Sequence, residues 1–290
     1  MKSKLSIGTA NFDQSYGISN NKSKLSLKTI KKILNYTGKK GVKSLDTSIS
    51  YGNTEKILGK LNLKTYKIFT KLPKLPKDCK NIRGWVLNNI KNSTNRLKIK
   101  KIKGIFLHHS EDLIGKNKKK LYDSLNEAKK KGLVEKIGVS IYDFKTLDKI
   151  LSEFKIDIVQ VPFNIFDRRL QQFKYLKKIK KKKIEIHVRS IFLQGLLLLK
   201  NSKIPKNFIK WFSLFKLWHF WLKTNNIPNL NACINYVFHV KEIDKIIIGV
   251  KNLKQIKQIF KAIENKSTLY PKNLFSDDYN LINPMKWKIR

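Results

Sequence analysis

The residues best suited to chemistry are an acid, a phenol, an amine and an imidazole that recur at the ends of apolar runs. Asp46 and Tyr51 stand five positions apart in SLDTSISYGNTEKILG, Lys71 closes IFTK, and His108 closes IFLH. A lone tyrosine has a pKa of about 10 and releases its proton poorly near neutrality. An ammonium beside it favours the phenolate and lowers that value, and a carboxylate beyond the ammonium holds it charged and in place. Tyr51 then becomes a usable general acid. Its natural task is to protonate the alkoxide formed when hydride reaches a carbonyl carbon, while the neutral imidazole of His108 donates a hydrogen bond to the same oxygen. His109 is the rival for that imidazole role, because adjacent side chains of a strand point in opposite directions.

Taken singly, Asp46 and Tyr51 read as a strand-end cap and a surface ring, so everything depends on the elements that bring the four together. Strands are expected at 4–10, 42–48, 66–71, 102–109, 134–140, 156–162, 184–190 and 243–250. Helices are expected at 26–41, with Ser26 as cap and Gly41 just past the end, and at 53–61, 81–97, 117–131, 143–153, 169–182 and 252–263. Alternation of this kind implies a parallel sheet, and eight units in about 250 residues match a single (β/α)8 TIM barrel. An open doubly wound sheet competes, but SIGTANF has one glycine where its G-x-G-x-x-G fingerprint would follow the first strand. Residues 1–290 therefore read as one domain, with 264–290 as a C-terminal tail. Barrel enzymes place their chemistry at the C-terminal strand ends. The polar residues there are Gly8 to Asn11, Asp46 with Tyr51, Lys71, His108 with His109, Ser140, Gln160, Arg189 with Ser190, and Gly249 to Lys251.

Composition narrows the classes. With 290 residues, 41% of them hydrophobic, the chain can bury a large core. Cys79 and Cys233 are far apart and in no metal-ligand spacing, so neither a disulfide framework nor a zinc site is expected. A cytoplasmic location is expected, since MKSKLSIGTANF lacks the apolar core of a signal peptide and no run approaches the roughly 20 apolar residues of a membrane span. The formal charge of +43 ordinarily points to nucleic acid or an anionic membrane. Here the lysines spread over the whole length. The densest runs, KNKKK at 116–120 and KKIKKKK at 177–183, fall where helical periodicity predicts a solvated face. No specific nucleic acid and no membrane insertion are expected, and the oligomeric state is left open.

In order and in strand position, LDTSISYGNTEKILG, FTKLP, FLHH and IGVS resemble the motifs of aldo-keto reductases. The resemblance runs from Gly8 to about residue 263. It implies a (β/α)8 barrel that binds NADPH or NADH, with NADP favoured, and reduces an aldehyde or ketone to an alcohol, with Asp46, Tyr51, Lys71 and His108 as the catalytic tetrad. By the same match Ser140 and Gln160 hold the nicotinamide carboxamide, and the backbone near Gly8 and Thr9 lies close to the cofactor. Ser190, Gly249, Lys251 and Lys254 belong to the cofactor site as well. IIIGVKNLKQIKQ looks like the family's adenosine-phosphate loop, where a strand ends at a helix N-terminus, a position that suits anions.

The chain departs from the family pattern in places. Ile141 replaces the asparagine that usually follows the serine, and Arg189 stands where an aromatic ring often stacks on nicotinamide. A guanidinium plane can also stack. Gln255 occupies one position of the basic residue on the 2'-phosphate, which leaves Lys251 and Lys254. LHHSEDL, KIGVSIYDF, IVQVPFNIFDRR, HVRSIFLQGLLL and LINPMKW look like a bacterial branch associated with surface-glycan and sugar-nucleotide biosynthesis, so sugar-derived carbonyls are included among the expected substrates. The resemblance carries an alternative too: a cofactor-binding regulatory or assembly protein that keeps the barrel and turns over little. Two segments stay open. Arg168 or Arg169 meets an anionic substrate group or pairs with Asp167, and IKWFSLFKLWHFWL (209–222) packs on the barrel, walls a pocket or contacts another subunit.

Overall fold

The computed structural model describes residues 4–14, 17–18, 24–263 and 269–287. Eight parallel strands close into one barrel in sequential order: β1 (Leu5–Gly8), β2 (Ser44–Asp46), β3 (Lys67–Leu72), β4 (Gly104–Leu107), β5 (Ile137–Ser140), β6 (Ile158–Pro162), β7 (Glu185–Arg189) and β8 (Lys245–Gly249). β1 completes the ring against β8, in register from Leu5 with Ile246 to Gly8 with Gly249. This is the single (β/α)8 TIM barrel that the alternation implies.

Between the strands lie α1 (Leu27–Lys39), α2 (Thr54–Leu58), α3 (Ile82–Leu97), α4 (Lys118–Lys130), α5 (Phe144–Glu153), α6 (Arg169–Gln172), α7 (Tyr175–Lys181), α8 (Phe212–Thr224) and α9 (Asn229–Phe238). After β8 come α10 (Leu253–Ala262) and α11 (Tyr279–Ile282). Their starts follow from capping chemistry. Ser26 Oγ accepts from the Thr29 amide, Asn81 Oδ1 from Gly84, Asp143 Oδ2 from Thr146 and Asn252 Oδ1 from Gln255. Each satisfies a donor that the first helical turn leaves without an intrahelical partner. Helix α1 buries Ile30, Ile33, Leu34 and Thr37, one stripe at helical spacing turned to the barrel. Gly41 leaves it at φ +85°, a left-handed conformation that favours glycine.

The expected lysine-rich helix at 169–182 is two pieces. Lys174 adopts a left-handed conformation at φ +58° and separates α6 from α7. Anchors on either side account for the break. Arg169 is tied to Asp167, and Tyr175 is buried with its hydroxyl donating to Asp148 Oδ2 at 2.7 Å. The strands are also shorter than expected. β4 covers Gly104–Leu107, with Ile102 and Val134 forming a separate bridge below it, and β5 begins only at Ile137.

Inside the barrel a period of two governs what lies at each level. Phe69, Phe106 and His187 pack as a ring cluster with centroids 4.8–6.3 Å apart. One step further along the same strands stand Lys71, His108 and Arg189, and two residues on from Ser44 and Ile158 stand Asp46 and Gln160. The apolar layer is thus the floor on which the polar strand ends rest. The described part of the tail folds back on the wall. The Ser276 amide donates to the Phe166 carbonyl at 2.8 Å, and Trp287 meets Phe208 edge-on at 4.9 Å. Residues 264–268 and 288–290 of the tail lie outside the described residues. Among the described residues no helix is long and apolar enough to cross a membrane.

Candidate active site

The Asp46 carboxylate, 4% exposed, is the centre of the site. Its Oδ1 accepts from Lys71 Nζ at 2.5 Å and its Oδ2 from Gln160 Nε2 at 2.7 Å. Lys71 donates a second bond to the Thr47 carbonyl at 2.8 Å and is 1% exposed. A buried ion pair persists only when both charges are matched and hydrogen-bonded, and both conditions hold here. Burial pulls the Lys71 pKa down, and the Asp46 charge opposes that pull.

Tyr51 sits on the loop from β2 to α2. A turn fixes it: its amide donates to Ser48 O at 3.0 Å, and Thr54 donates to its carbonyl at 3.0 Å. The ring reaches Lys71, whose Nζ lies 5.3 Å from its centroid, and meets His108 edge-on at 6.0 Å. The expected lowering of the Tyr51 pKa is corrected by this geometry. Its hydroxyl is pushed above the ordinary phenol range, first by burial and then by the Asp46 carboxylate, while the Arg189 charge pulls the other way. Lys71 is bonded to Asp46 and lies over the ring of Tyr51.

His108 packs against Tyr51, and His109 is exposed, with the two imidazole centroids 5.6 Å apart just past the end of β4. Burial, then the charges of Lys71 and Arg189, push the His108 pKa down to about 3, so the ring is neutral. Its Nδ1 lies 3.4 Å from Ser48 Oγ, which already accepts from the Ser50 amide at 3.2 Å. A Ser48 hydroxyl that donates to Nδ1 leaves the imidazole proton on Nε2.

A cavity of about 420 Å3 opens beside Asp46 and Tyr51, and His108 does not reach its lining. Asp46, Tyr51, Gly8, Thr9, Gln160, Arg189, Ser190, Gly249 and Lys251 all line it. Lys71 stands behind Asp46, and Ser140, 6% exposed, ends β5 opposite Gln160 without reaching the lining. Lys254 is not brought to this cavity; it borders a separate hollow with Lys257 and Lys261 on the outer side of α10. The Thr9 amide and hydroxyl both donate to the Asp46 carbonyl, at 2.9 and 3.0 Å, so Thr9 fastens β1 to β2. Gln255 receives the Lys251 amide on its side-chain oxygen at 2.7 Å, which turns the chain into α10.

The residues present fit a nucleotide. Gly8 and Gly249 leave the lining open where an added Cβ would come within 2.9 Å of Ile247 and of Asn11. Asn11 Oδ1 is buried without a hydrogen-bond partner, and the start of α10 lies beside Lys251 at the other end.

The sequence reading missed several parts of the site. Phe192, Gln194 and Gly195, in the loop after β7, line the cavity. That loop carries left-handed residues at Ser190, Leu193, Gln194 and Gly195, and Gly195 alone hinted at it. Gln194 O accepts from the Ile18 amide at 3.0 Å, bridging two loops over the cavity. Tyr142 was missed too: the Arg189 guanidinium lies 3.9 Å from its ring centroid, with Nη2 donating to Ile141 O at 3.1 Å. The open question at 167–169 resolves as an ion pair, Arg169 binding Asp167 at 2.8 Å through two nitrogens. Arg168 donates to the Ile165 and Pro271 carbonyls. The aromatic segment 209–222 supplies α8, whose Phe215 and Trp218 are buried against the barrel; none of its residues lines the cavity.

The aldo/keto reductase family profile matches residues 4–271. No curated protein matches the chain. Among solved structures, the holo form of aldo-keto reductase AKR11C1 from Bacillus halodurans aligns with a TM-score of 0.74 at 18% identity, covering 92% of this chain and 88% of that one. Its apo form aligns at 0.70 and 20% identity, over 89% and 87% of the two chains. The glycerol dehydrogenase AKR11B4 from Gluconobacter oxydans aligns at 0.68 and 16% identity, over 92% and 88%. Identities this low speak for the fold alone. The family match spans nearly the whole chain, and on that ground the protein belongs to the aldo/keto reductase family.

Proposed function

We propose that the chain is an NAD(P)H-dependent reductase that converts an aldehyde or ketone to an alcohol, with Tyr51 as general acid. The observation that carries this reading is the convergence of the buried Asp46–Lys71 pair and a neutral His108 on Tyr51, with Tyr51 and Asp46 lining one cavity. The bound cofactor supplies the hydride. Tyr51 holds the proton: a phenol with a raised pKa stays protonated at neutral pH, which is the form needed to protonate a developing alkoxide. Lys71 lies against the ring to receive the phenolate that follows, and Asp46 with Gln160 fixes Lys71 in place. His108, uncharged, orients the substrate oxygen by donating from Nε2.

For the cofactor, Ser140 and Gln160 are the candidates at the carboxamide, Gly8, Thr9 and Gly249 leave room for it, and Ser190, Lys251 and the start of α10 suit its phosphates. With Lys254 outside the cavity, Lys251 is the remaining candidate for a 2'-phosphate, which favours NADP over NAD.

The test is titration with NADPH and NADH by fluorescence, followed by a panel of aldehydes, ketones and sugar-derived carbonyls. Turnover that collapses in Tyr51→Phe supports the proposal. Cofactor binding with no turnover on any carbonyl assigns the chain to the regulatory reading, and absence of binding removes both.

A further inference from the structure

Arg189 lies at the end of the cavity where the chemistry must occur. It lines the space together with Asp46, Tyr51 and Gln160. The guanidinium rests on the Tyr142 ring at 3.9 Å, Nη2 donates to Ile141 O at 3.1 Å, and Nη1 contacts Ser190 Oγ at 3.4 Å. An arginine in a protein does not lose its proton, so this charge is permanent. Its field reaches the reacting groups: of the cations around Tyr51 it acts most strongly on the hydroxyl, and it also bears on Lys71 and His108.

The reaction constrains where the nicotinamide ring must be. A carbonyl oxygen protonated by Tyr51 lies within about 3 Å of its hydroxyl. The hydride-donating carbon lies about 3–3.5 Å from the carbonyl carbon. The ring is therefore held at the Tyr51 end, beside Arg189. That ring is neutral when reduced and a pyridinium cation when oxidised. Among the described lining residues Asp46 is the only acid, and it is bonded to Lys71 and Gln160; behind the lining the buried Asp167 also feels the Arg189 charge and is itself paired with Arg169.

We infer that Arg189 selects the redox state of the cofactor: its fixed charge disfavours the oxidised nucleotide relative to the reduced one, which favours loading of the hydride donor and loosens the oxidised product, while making the bound reduced form a weaker donor. The inference rests on the reductase reading given above. A unit charge within several ångströms of the ring, at an effective dielectric of about 20–40, shifts such an equilibrium by on the order of tenfold or more. For a two-electron couple, tenfold is about 30 mV. The phosphates and ribose are common to both redox forms, so the ratio of their dissociation constants isolates the ring.

The test is a set of equilibrium titrations of the full chain with NADPH, NADP+, NADH and NAD+, followed by protein fluorescence and calorimetry. Wild type is expected to bind the reduced form at least tenfold more tightly within the pair it prefers. Arg189→Gln should shrink that ratio about tenfold, mainly by tightening the oxidised form, and Arg189→Lys should retain most of it, with thermal melting confirming that both variants fold. An unchanged ratio in Arg189→Gln overturns the inference. So does a wild-type ratio of one or less, which needs no variant. If neither redox form binds, the cofactor reading itself fails and the inference falls with it, an outcome distinct from equal binding of the two forms.

Discussion

Gln160 Nε2 donates to Asp46 Oδ2 at 2.7 Å, across 114 residues of sequence, and so completes a carboxylate whose other oxygen holds Lys71 at 2.5 Å. The contact changes what Gln160 does. The family resemblance assigns this side chain to the nicotinamide carboxamide, yet one of its two amide N–H donors is already engaged, so its oxygen and its second N–H are what is left for a ligand. Both interactions are nearly sealed from water, Gln160 and Lys71 each being 1% exposed. In such surroundings the loss of one partner is felt by the other two.

The Asp46–Lys71–Gln160 group should therefore show strong thermodynamic coupling. Lys71→Met leaves a buried carboxylate without its cation and is expected to lower stability by about 3–5 kcal/mol. Asp46→Leu strands the ammonium with a similar effect, and Gln160→Met, which removes one hydrogen bond to a charged group, is expected to lose about 1–3 kcal/mol. Because Lys71→Met and Asp46→Leu break the same pair, the double variant should lose clearly less than the sum of the two single losses. Urea denaturation of the four proteins measures this. Additive losses would mean that the pair contributes no coupling and that Lys71 is held by packing alone.

Much of this group was legible because a barrel strand has a period of two. The polar residues that interrupt β2, β3, β6 and β7 at their C-terminal ends, Asp46, Lys71, Gln160 and Arg189, are those the closed barrel gathers. Contacts that the backbone pattern does not encode were hidden. The stacking of Arg189 on Tyr142 depends on a side chain leaving β5 and reaching a neighbour two strands away. The left-handed run from Ser190 to Gly195 is set by loops meeting over the cavity, since three of its four left-handed residues are not glycine. Lys174 breaks a segment whose composition reads as one helix, because the Tyr142 carbonyl and the Asp148 carboxylate, which hold Arg169 and Tyr175, lie in other parts of the fold. The direction of the Tyr51 pKa shift was missed for a related reason: sequence shows which charges are present and not how deeply the hydroxyl is buried.

That burial sets the pH dependence of reduction. A phenol whose pKa lies above its ordinary value of about 10 remains protonated throughout neutral and mildly alkaline solution. Reduction should thus keep its rate up to about pH 9 instead of falling through a basic limb near neutrality. Tyr51→Phe should lower kcat by about 10²–10⁴ while leaving cofactor affinity within a few-fold of wild type. Steady-state rates from pH 6 to 9.5, with a buffer series at constant ionic strength, give the profile. A limb near pH 7 that disappears in Tyr51→Phe would show that the free phenol is far more acidic than its surroundings allow.

His108 makes the opposite prediction on the acid side. Its folded pKa is depressed to about 3, against about 6.5 for an unfolded histidine, so the unfolded chain takes up the proton first. The stabilising contribution is complete above pH 6.5 and is lost progressively as the pH falls from 6.5 towards 3. Buried His187 is shifted in the same direction, also chiefly by burial. Between pH 6.5 and 5 His108 removes up to about 2 kcal/mol. Denaturation midpoints at pH 7.5, 6 and 5 should fall in wild type and fall less in His108→Gln. Identical slopes in the two proteins would mean that His108 is solvated and titrates normally. Since the ring stays neutral in the folded state, no inflection in activity at pH 6.5 should trace to it.

Two glycines separate the demands of the barrel from those of the site. An alanine Cβ at Gly138 would lie 2.3 Å from the Ile158 carbonyl oxygen and 2.4 Å from Ile158 Cγ1. The oxygen belongs to the backbone of the neighbouring strand, so relief requires β5 and β6 to move apart inside a closed ring. Gly138→Ala is expected to destabilise the protein by about 3 kcal/mol or more. At Gly249 the nearest atom, 2.9 Å away, is Asn11 Nδ2, the free end of a side chain that can swing aside. Gly249→Ala should therefore melt close to wild type while adding a methyl group to the cavity lining and weakening nucleotide binding about tenfold or more. Melting curves and NADPH titrations of both variants decide the matter. If Gly249→Ala binds the nucleotide as well as wild type does, the cofactor does not pass this strand end, and the cavity between β1, β7 and β8 must be given another ligand.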